Sequence, residues 1–382
     1  MKIIVNSIPT LQILTGVGQY TYRLLQNLQS LDGQYDWYYY YGYTSRDYVR
    51  QRDDASLPPH PGFSKATRLL SKLPRLKAGM RYCQQKAAGL GKATYDVYFE
   101  PNFIPLREIA SRHTIATIHD FSFRLHPEWH PKERIEHFER HFQSSIERAD
   151  VILTDSDYIR TEAVRFLDVP PERIRTVHAG CDPLVFHPAP EFGVQRLAAK
   201  YHLERPYYLY VGTIEPRKNL AGLLRAWERF AAGQPQSVQL VVCGWQGWGE
   251  SGIFKEFDRL EKKGVLRYLG YVPYLELPLL YSGAEALVYP SYYEGFGLPV
   301  VEAMASGCPV ICSDRASLPE VAGDAAIYVD PEEEDSVLQG LVRMQEEAGL
   351  RERCREAGLR RARKFTWQNT ARSLLGLMSE FK

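Results

Sequence analysis

The length, charge and composition of the chain exclude several classes of protein. Its 382 residues are enough for two domains with large buried cores, at about 150 residues per domain. The 47 basic and 46 acidic residues leave a formal charge of +1, which argues against a nucleic-acid-binding protein because such domains are strongly basic. A hydrophobic fraction of 45% and a charged fraction of 24% indicate a folded globular protein.

Cysteine usage and hydropathy bear on the compartment. The six cysteines are too few and too scattered for a disulfide scaffold, and we expect them to be structural. The first residues lack the apolar segment of a signal peptide, and no apolar run approaches the ~18 residues that span a bilayer. We therefore expect a cytoplasmic protein.

The first half of the chain alternates short apolar runs with amphipathic stretches, which is the pattern of an α/β protein with a mostly parallel sheet. Helical periodicity predicts helices over residues 20–28 and 131–149. Residues 181–190 contain three prolines and no periodicity, so we expect the linker there. Strands are predicted at residues 2–8, 37–43, 97–99, 114–119, 151–154 and 174–177.

The alternation restarts after the linker. Strands are predicted at residues 207–211, 238–243, 286–289 and 309–312, and helices at 220–230, 253–263 and from near Pro299. The chain ends in an amphipathic stretch for which Thr366 is the expected N-cap. Two such halves imply a cleft at the carboxyl ends of their strands, so the loops that follow strands are the candidate sites.

The loop after the first predicted strand contains Gly16 and Gly18 and opens a helix. Glycines allow a ligand close to the backbone, and a helix N-terminus favours an anion such as phosphate. The dinucleotide fingerprint needs a further glycine where Thr21 stands, so a nicotinamide site is disfavoured. A plain glycine turn remains an alternative.

The corresponding loop of the second half carries Arg217 and Lys218 next to each other, at what we expect to be a helix start. Positive charge is unfavourable there because of the helix dipole, and an anionic ligand would relieve it. Arginine can bind two phosphate oxygens at once while lysine adds a compact charge, which favours diphosphate binding over a solvated surface pair.

A third loop places Glu294 among glycines and Glu302 in the predicted first turn of the next helix. Carboxylates accept hydrogen bonds from paired hydroxyls, so two of them at one cleft edge suit a ligand with two sets of hydroxyls, such as a ribose and a hexose. Either residue alone is equally compatible with an ordinary loop or helix-start glutamate.

Three motifs together resemble one enzyme family. Glu294 and Glu302 form an E-x7-E arrangement around GFGLP, with GTIEPRKN before it and SGCPVICSDRASLPEVAGDAAIYVDP after it. In order and spacing these resemble the family 4 retaining glycosyltransferases of GT-B architecture over about residues 207–330. TGVGQYTYRL, EPNFIP and IHDFSFRLHPEWHP are more loosely similar to a bacterial subgroup with mannosyl- and glucosyltransferases of surface polysaccharide assembly.

The resemblance implies an α/β fold of two Rossmann-like domains facing a central cleft. Residues 1–185 would bind the acceptor and residues 186–365 the nucleotide-sugar donor. The C-terminal helix, over residues 366–382, would cross back to the first domain.

The resemblance also implies roles for individual residues. Arg217 and Lys218 would neutralise the donor diphosphate, Glu302 would hold the ribose and Glu294 the donor sugar. His119 would lie beside the donor sugar, although taken alone it is more typical of a satisfied structural histidine. We expect His119, Arg217, Lys218 and Glu294 to be catalytic. The other implied donor-binding residues are Gly16, Gly18, Tyr271, Val272, Gly295, Phe296, Gly297 and Leu298.

The implied reaction moves a glucose- or mannose-type hexose from a UDP-glucose- or GDP-mannose-type donor to a saccharide or lipid-linked saccharide. Front-face displacement would retain the anomeric configuration, and no cofactor or metal is expected. Asp155-Ser156-Asp157 matches the D-x-D metal motif of another glycosyltransferase architecture, but Asp and Ser are also ordinary helix caps. A nucleotide-sugar epimerase or hydrolase and a non-catalytic nucleotide-sugar-binding protein are the alternatives.

Residues 55–95 contain no acidic side chain, and eight basic residues lie between positions 65 and 92. Leucines recur among them at roughly helical spacing, with Pro74 interrupting the pattern. Such a stretch suits peripheral contact with an anionic membrane, at the inner face of the bilayer for a cytoplasmic protein. A solvated helix face over core leucines is the alternative.

Overall fold

The computed structural model describes residues 1–11, 16–31, 34–48, 94–203, 205–233, 238–249 and 252–382. The predicted membrane-contact stretch, residues 65–92, lies outside these ranges. In the part of the chain that the structure describes, no helix is both long and apolar enough to cross a bilayer.

The first half is built on a sheet that, within the described residues, has the strand order β3-β2-β1-β4-β5-β6-β7. All neighbouring strands are parallel except β2 and β3. The strands are β1 (Lys2–Asn6), β2 (Asp36–Tyr40), β3 (Thr44–Ser45), β4 (Tyr95–Glu100), β5 (Ser111–Ile118), β6 (Val151–Thr154) and β7 (Ile174–Thr176).

Helices connect β1 to β2, β5 to β6 and β6 to β7, whereas residues 101–110 join the parallel strands β4 and β5 without a helix. The described helices of this half are α1 (Val17–Leu31), α2 (Ser122–Leu125), α3 (Lys132–Ile146) and α4 (Asp157–Phe166), with 3₁₀ turns at Ile8–Leu11, Pro127–Trp129 and Pro171–Arg173. Helix α1 buries Leu24, Leu25 and Leu28, the same residues whose spacing predicted it.

The second half is built on a parallel sheet whose described strands follow the order β10-β9-β8-β11-β12-β13. Its inner strands consist mainly of apolar residues because helices cover both faces, and every residue of β9 is buried. The strands are β8 (Tyr207–Val211), β9 (Gln239–Cys243), β10 (Leu266–Gly270), β11 (Ala286–Tyr289), β12 (Val310–Ser313) and β13 (Ala326–Val329).

Helices alternate with the strands of the second half from β8 to β13, and within its described residues one helix precedes β8 and three follow β13. The described ones are α5 (Glu191–Tyr201), α6 (Leu220–Gly233), α7 (Ile253–Lys262), α8 (Leu277–Gly283), α9 (Leu298–Ala305), α10 (Leu318–Ala322), α11 (Glu334–Glu346), α12 (Leu350–Ala362) and α13 (Trp367–Ser379), with 3₁₀ turns at Pro216–Lys218 and Tyr274–Glu276.

Most predicted elements are confirmed, with corrections at their ends. The first strand ends at Asn6 and the second at Tyr40, where the chain turns back into β3. The prediction overlooked helix α5 directly after the linker, and it overlooked strands β10 and β13. Both missed strands lie at the edges of the sheet, where partly exposed residues weaken the apolar pattern.

The C-terminal helix α13 crosses back to the first half. Thr366 is its N-cap, as predicted, because its Oγ1 accepts a hydrogen bond from Asn369 N (3.2 Å). Thr366 also pairs with Cys181 of the linker in an isolated parallel bridge. Trp367 lies edge-on to Tyr20 of α1, with ring centroids 5.7 Å apart. The chain therefore passes between its two halves twice at the same place.

Candidate active site

A cleft of about 1470 Å³ separates the two sheets and is lined by loops from both. It lies at the carboxyl ends of the parallel strands, where ligands bind in such sheets. Every donor-site residue predicted from the sequence lines it: Gly16, Gly18, His119, Arg217, Lys218, Tyr271, Val272, Glu294, Gly295, Phe296, Gly297, Leu298 and Glu302.

The loop after β8 carries the two cations, but not at an α-helix start as the sequence suggested. Arg217 and Lys218 lie in a 3₁₀ turn, Asn219 follows with a left-handed backbone, and α6 begins at Leu220. Asn219 Oδ1 accepts a hydrogen bond from Gly222 N (3.2 Å) and so caps that helix. The two cations therefore do not lie in the first turn of an α-helix, as predicted, and their own charges are what favours an anion here.

Glu294 lies between the two cations. Its Oε2 accepts from Arg217 Nη1 at 2.8 Å, and its Oε1 accepts from Lys218 Nζ at 2.6 Å. Burial raises the pKa of Glu294, but the charges of Arg217 and Lys218 outweigh burial and bring it to about 2. Glu215, which the sequence reasoning did not single out, holds Arg217 Nη2 at 2.6 Å. In this structure Arg217 and Lys218, which were predicted to bind diphosphate, form ion pairs with carboxylates of the chain instead.

The loop around Glu294 is fixed against the first half by a backbone approach that only glycine permits. A Cβ on Gly295 would lie 1.8 Å from His119 O, and Gly297 has a φ of +97°. Helix α9 begins at Leu298, and Val300 N already donates to Gly297 O at 2.9 Å, so the amides that precede the first turn are the ones suited to bind ligand oxygens.

Glu302 lies in the second turn of α9, one turn later than predicted. Its Oε2 accepts a hydrogen bond from Tyr281 OH at 3.1 Å. Burial raises the pKa of Glu302 to about 7, although the Tyr281 hydrogen bond and the charge of Arg23 oppose the rise. This carboxylate is therefore poised to gain hydrogen bonds from a ligand, as the predicted ribose contact requires.

His119 follows β5, and both of its ring nitrogens have partners. Nδ1 lies 2.6 Å from Asp155 Oδ2 and Nε2 lies 2.8 Å from Pro101 O. Burial lowers the pKa of His119, but Asp155 and the Pro101 carbonyl raise it above its ordinary value. Two acceptors favour a protonated imidazole that donates to both. The structure thus places His119 in the cleft while giving it the partners of a structural histidine.

The D-x-D segment is explained by local structure. Ser156 is the N-cap of α4, since its Oγ accepts from Ile159 N at 3.2 Å, and Asp155 pairs with His119. Among the described residues, one group of three side chains has the spacing of metal ligands, and it consists of Asp157, His178 and Glu320. That group does not line the cleft.

Aromatic side chains at the end of the second sheet form the far part of the cleft. Tyr271 and Val272, two of the predicted donor-binding residues, follow β10 and line the cleft there. The exposed ring of Trp245, in the loop after β9, lies edge-on to Tyr271 with centroids 6.4 Å apart. A flat apolar ligand such as a nucleobase could pack against the rings of Trp245 and Tyr271.

Contacts between the halves surround the cleft, and most involve residues that the sequence reasoning left out. Tyr293 OH accepts from Phe121 N at 3.1 Å and donates to Glu162. Trp248 Nε1 donates to Trp129 O at 2.6 Å. Trp129 belongs to the HPEWHP segment, so the motif was visible although its partners in the other half were not.

Comparison with known proteins identifies the chain's relatives. The family described as "Glycosyltransferase Family 4" matches residues 14–184, and "Glycosyl transferases group 1" matches residues 196–361. The O-antigen chain mannosyltransferase B of Escherichia coli is 34% identical over 373 residues, which is 97% of each chain. The chain belongs to the family 4 glycosyltransferases.

Solved structures show that this family 4 glycosyltransferase has the GT-B architecture. The sucrose-phosphate synthase of Thermosynechococcus elongatus superposes with a TM-score of 0.73 at 19% identity, over 100% of this chain and 98% of that one. Anabaena HepE in complex with UDP-glucose superposes with a TM-score of 0.69 at 15% identity, over the whole of both chains. The sequence-based predictions of fold, family and enzyme class are confirmed.

Proposed function

We propose that this glycosyltransferase is a retaining mannosyltransferase that uses a nucleoside-diphosphate mannose and acts in O-antigen-type polysaccharide synthesis. The choice of mannose is supported by the E. coli O-antigen mannosyltransferase, which is similar over 97% of both chains. A nucleotide-sugar donor is supported by the UDP-glucose bound to HepE. The observation that carries the proposal is the convergence of Arg217 and Lys218 on Glu294 in the cleft.

The donor diphosphate would take the place of a carboxylate at the two cations. Glu215 and Glu294 now neutralise Arg217 and Lys218, so a bound diphosphate releases Glu294 to accept hydrogen bonds from the sugar hydroxyls. The ribose hydroxyls would bind Glu302, and the base would lie against Tyr271 and Val272. Gly16 and Gly18 allow the first-half loop to approach the diphosphate.

The chemistry follows from where charge develops. In a front-face displacement the acceptor oxygen bonds to the anomeric carbon as the bond from that carbon to the phosphate oxygen breaks, on the same face. The acceptor proton passes to the departing phosphate. Negative charge on the diphosphate grows in the transition state, and Arg217 and Lys218 stabilise it in a site shielded from water.

The two halves would divide the substrates between them. We propose that residues 1–185, with the helix at 366–382, bind a saccharide or lipid-linked saccharide acceptor, and that residues 186–365 bind the donor. Contact of residues 65–92 with the inner face of an anionic membrane would bring the enzyme to a lipid-linked acceptor. Co-sedimentation with anionic but not neutral liposomes tests that contact.

We propose that no metal is needed, because Arg217 and Lys218 supply the positive charge that the leaving diphosphate requires. Full activity in EDTA, with no gain from magnesium or manganese, is the expected result. Loss of activity in EDTA that manganese restores would overturn this part of the proposal.

One experiment tests the donor and the reaction together. The enzyme is incubated with GDP-mannose, UDP-glucose or ADP-glucose and a mannose-terminated oligosaccharide, and products are identified by mass spectrometry and by the NMR of the new linkage. Transfer from GDP-mannose with an α-configured product is expected. Release of nucleotide without a glycosylated acceptor would instead indicate a hydrolase, and a β-linked product would exclude retention.

A further inference from the structure

Asp120 lies where the two substrate regions meet. It follows β5 and His119 at the carboxyl edge of the first sheet and lines the cleft. Its Cβ is 3.3 Å from the position that a Cβ on Gly295 would occupy, so it packs directly beside the loop of Glu294. Arg134, on the α3 wall of the same cleft, is close enough for its charge to lower the pKa of Asp120.

The Asp120 carboxylate is held by one of its two oxygens. Ser122 N donates to Oδ1 at 2.9 Å and Ser122 Oγ donates to the same atom at 2.7 Å. Because that hydroxyl proton is committed to Asp120, Ser122 Oγ accepts from His130 Nε2, 2.9 Å away. Among the described residues no hydrogen bond is made to Oδ2. With Oδ1 fixed by Ser122, Oδ2 is available to accept a hydrogen bond from a ligand hydroxyl.

The charge on Asp120 limits what it can do with that hydroxyl. Burial raises the pKa of Asp120, but Arg217 and the two Ser122 hydrogen bonds outweigh burial and hold it below the ordinary range. A carboxylate of low pKa is a good hydrogen-bond acceptor and a poor store for a proton. Asp120 can therefore orient the hydroxyl and supply negative charge, but it does not take the proton, which passes to the departing phosphate.

We propose that Asp120 Oδ2 accepts a hydrogen bond from the attacking hydroxyl of the saccharide acceptor and orients it toward the donor sugar held by Glu294. This inference rests on the proposed function. Asp120 comes from the half assigned to the acceptor, and it reaches the donor loop through its contact with Gly295. Its negative charge also faces the sugar carbon on which positive charge develops as the phosphate leaves.

A competing explanation is that Asp120 is only a counter-ion for Arg217. Arg217 already has ion pairs with Glu215 at 2.6 Å and Glu294 at 2.8 Å, whereas Asp120 has no hydrogen bond to it. The two explanations differ in what Asp120→Asn changes. Loss of a counter-ion would alter donor binding, while loss of the acceptor contact would alter transfer.

The test compares Asp120→Asn with the wild type and with Asp258→Asn, an exposed aspartate on α7. Affinity for the nucleotide sugar is measured by calorimetry and folding by circular dichroism. The turnover number is measured from the rate of hexose transfer to the oligosaccharide. We expect Asp120→Asn to lower turnover by roughly 10²- to 10³-fold, as for other lost transition-state contacts, with donor affinity within about threefold of wild type. Asp258→Asn should match wild type in both.

Ser122→Ala serves as a second variant, because it frees the carboxylate without removing it. We expect a smaller loss of turnover, about 5- to 30-fold, with donor affinity again unchanged. Turnover of Asp120→Asn within threefold of wild type, or a donor affinity that falls in step with turnover, would overturn the inference. A wild-type enzyme that transfers no hexose would overturn the proposed function as well, so the two failures are distinguishable.

Discussion

Lys218 Nζ lies 2.6 Å from Glu294 Oε1, although the two residues are 76 positions apart in the chain. Both side chains are buried, and their pairing connects the loop after β8 to the loop after β11. The contact holds the Lys218 ammonium at the edge of the cleft before any substrate binds, and in the proposed function the donor diphosphate takes the place of Glu294 there. A preorganised cation of this kind needs little rearrangement when charge develops on the leaving group.

Lys218→Met should lower turnover by about 10²- to 10³-fold, or ~2.7–4 kcal/mol of transition-state stabilisation. The methionine keeps most of the apolar length of the side chain and removes the charge that is proposed to face the diphosphate. Steady-state kinetics with saturating donor measure the effect, and Lys255→Met, at an exposed position on α7, is the matched control. Turnover of Lys218→Met equal to that of the control would contradict the role given to Lys218.

Donor affinity should depend on pH through Glu302, whose pKa is raised by burial to about 7. The ionised carboxylate accepts two hydroxyl hydrogen bonds and the protonated acid does not, so affinity should rise about tenfold between pH 6 and pH 8. Calorimetric titration with the nucleotide sugar across this range measures it. Glu302→Gln should bind weakly and with no such slope, and a flat profile in the wild type would count against the ribose contact.

The same carboxylate should cost the ligand-free enzyme stability. A folded pKa of about 7, above the ordinary 4.5, means that the folded state binds the proton more tightly than the unfolded state. The Glu302 contribution is thus most favourable below pH 4.5 and is lost as pH rises through 7. Glu302→Gln, which imitates the protonated form, should be more stable than wild type at pH 8, on the order of 2 kcal/mol after solvent screening. Chemical denaturation at pH 8 and pH 5 tests this, since the advantage should shrink at pH 5.

Tyr293→Phe should weaken donor binding by removing one hydrogen-bonded bridge between the halves. Tyr293 OH accepts from Phe121 N and donates to Glu162, while Tyr293 O holds Arg217 Nη1 at 2.8 Å. The phenylalanine keeps the backbone contact with Arg217 and removes the bridge, which is worth ~1–2 kcal/mol. We expect the donor KM to rise roughly 5- to 30-fold, and Tyr43→Phe, at a tyrosine that is 62% exposed, to have no effect.

Gly295→Ala should abolish transfer. Its Cβ would lie 1.8 Å from His119 O, a backbone atom that cannot move without displacing the end of β5. Gly376→Ala is the contrasting change, because nothing lies within 4 Å of its Cβ in the last turn of α13. That substitution should leave activity intact and add roughly 0.4–1 kcal/mol of stability. Normal transfer by Gly295→Ala would mean that the halves do not meet at this point during turnover.

Adjacent residues and local patterns were predictable from the sequence, and long-range partners were not. The proximity of Arg217 and Lys218 is a property of the chain itself, and the Thr366 cap follows from its own neighbours. The pair of His119 and Asp155 spans 36 positions and exists because β5 and β6 are neighbours in the sheet. No local signal specifies that neighbourhood, so His119 could be placed in the cleft but not given its partners.

The interface between the halves was the least predictable feature. Trp129 and Trp248 are 119 positions apart, and the HPEWHP motif around Trp129 gives no sign of its partner in the second half. Their contact depends on how two separately folded sheets face each other, which hydrophobic periodicity does not encode. Arg217 and Lys218 were predicted as diphosphate ligands partly because they were expected at an α-helix start, and they lie in a 3₁₀ turn instead. The other basis of that prediction, the affinity of two adjacent cations for phosphate oxygens, is unchanged.

The double passage of the chain at Gly180 and Thr366 determines how the cleft can open. A Cβ on Gly180 would lie 2.4 Å from the carbonyl carbon of Thr366, so the outgoing and returning segments touch along their backbones. The two connections between the halves are thus held together at one point, so a movement of one half against the other would turn about this crossing. The separation of Asp120 from Glu294 would then depend on the angle between the halves.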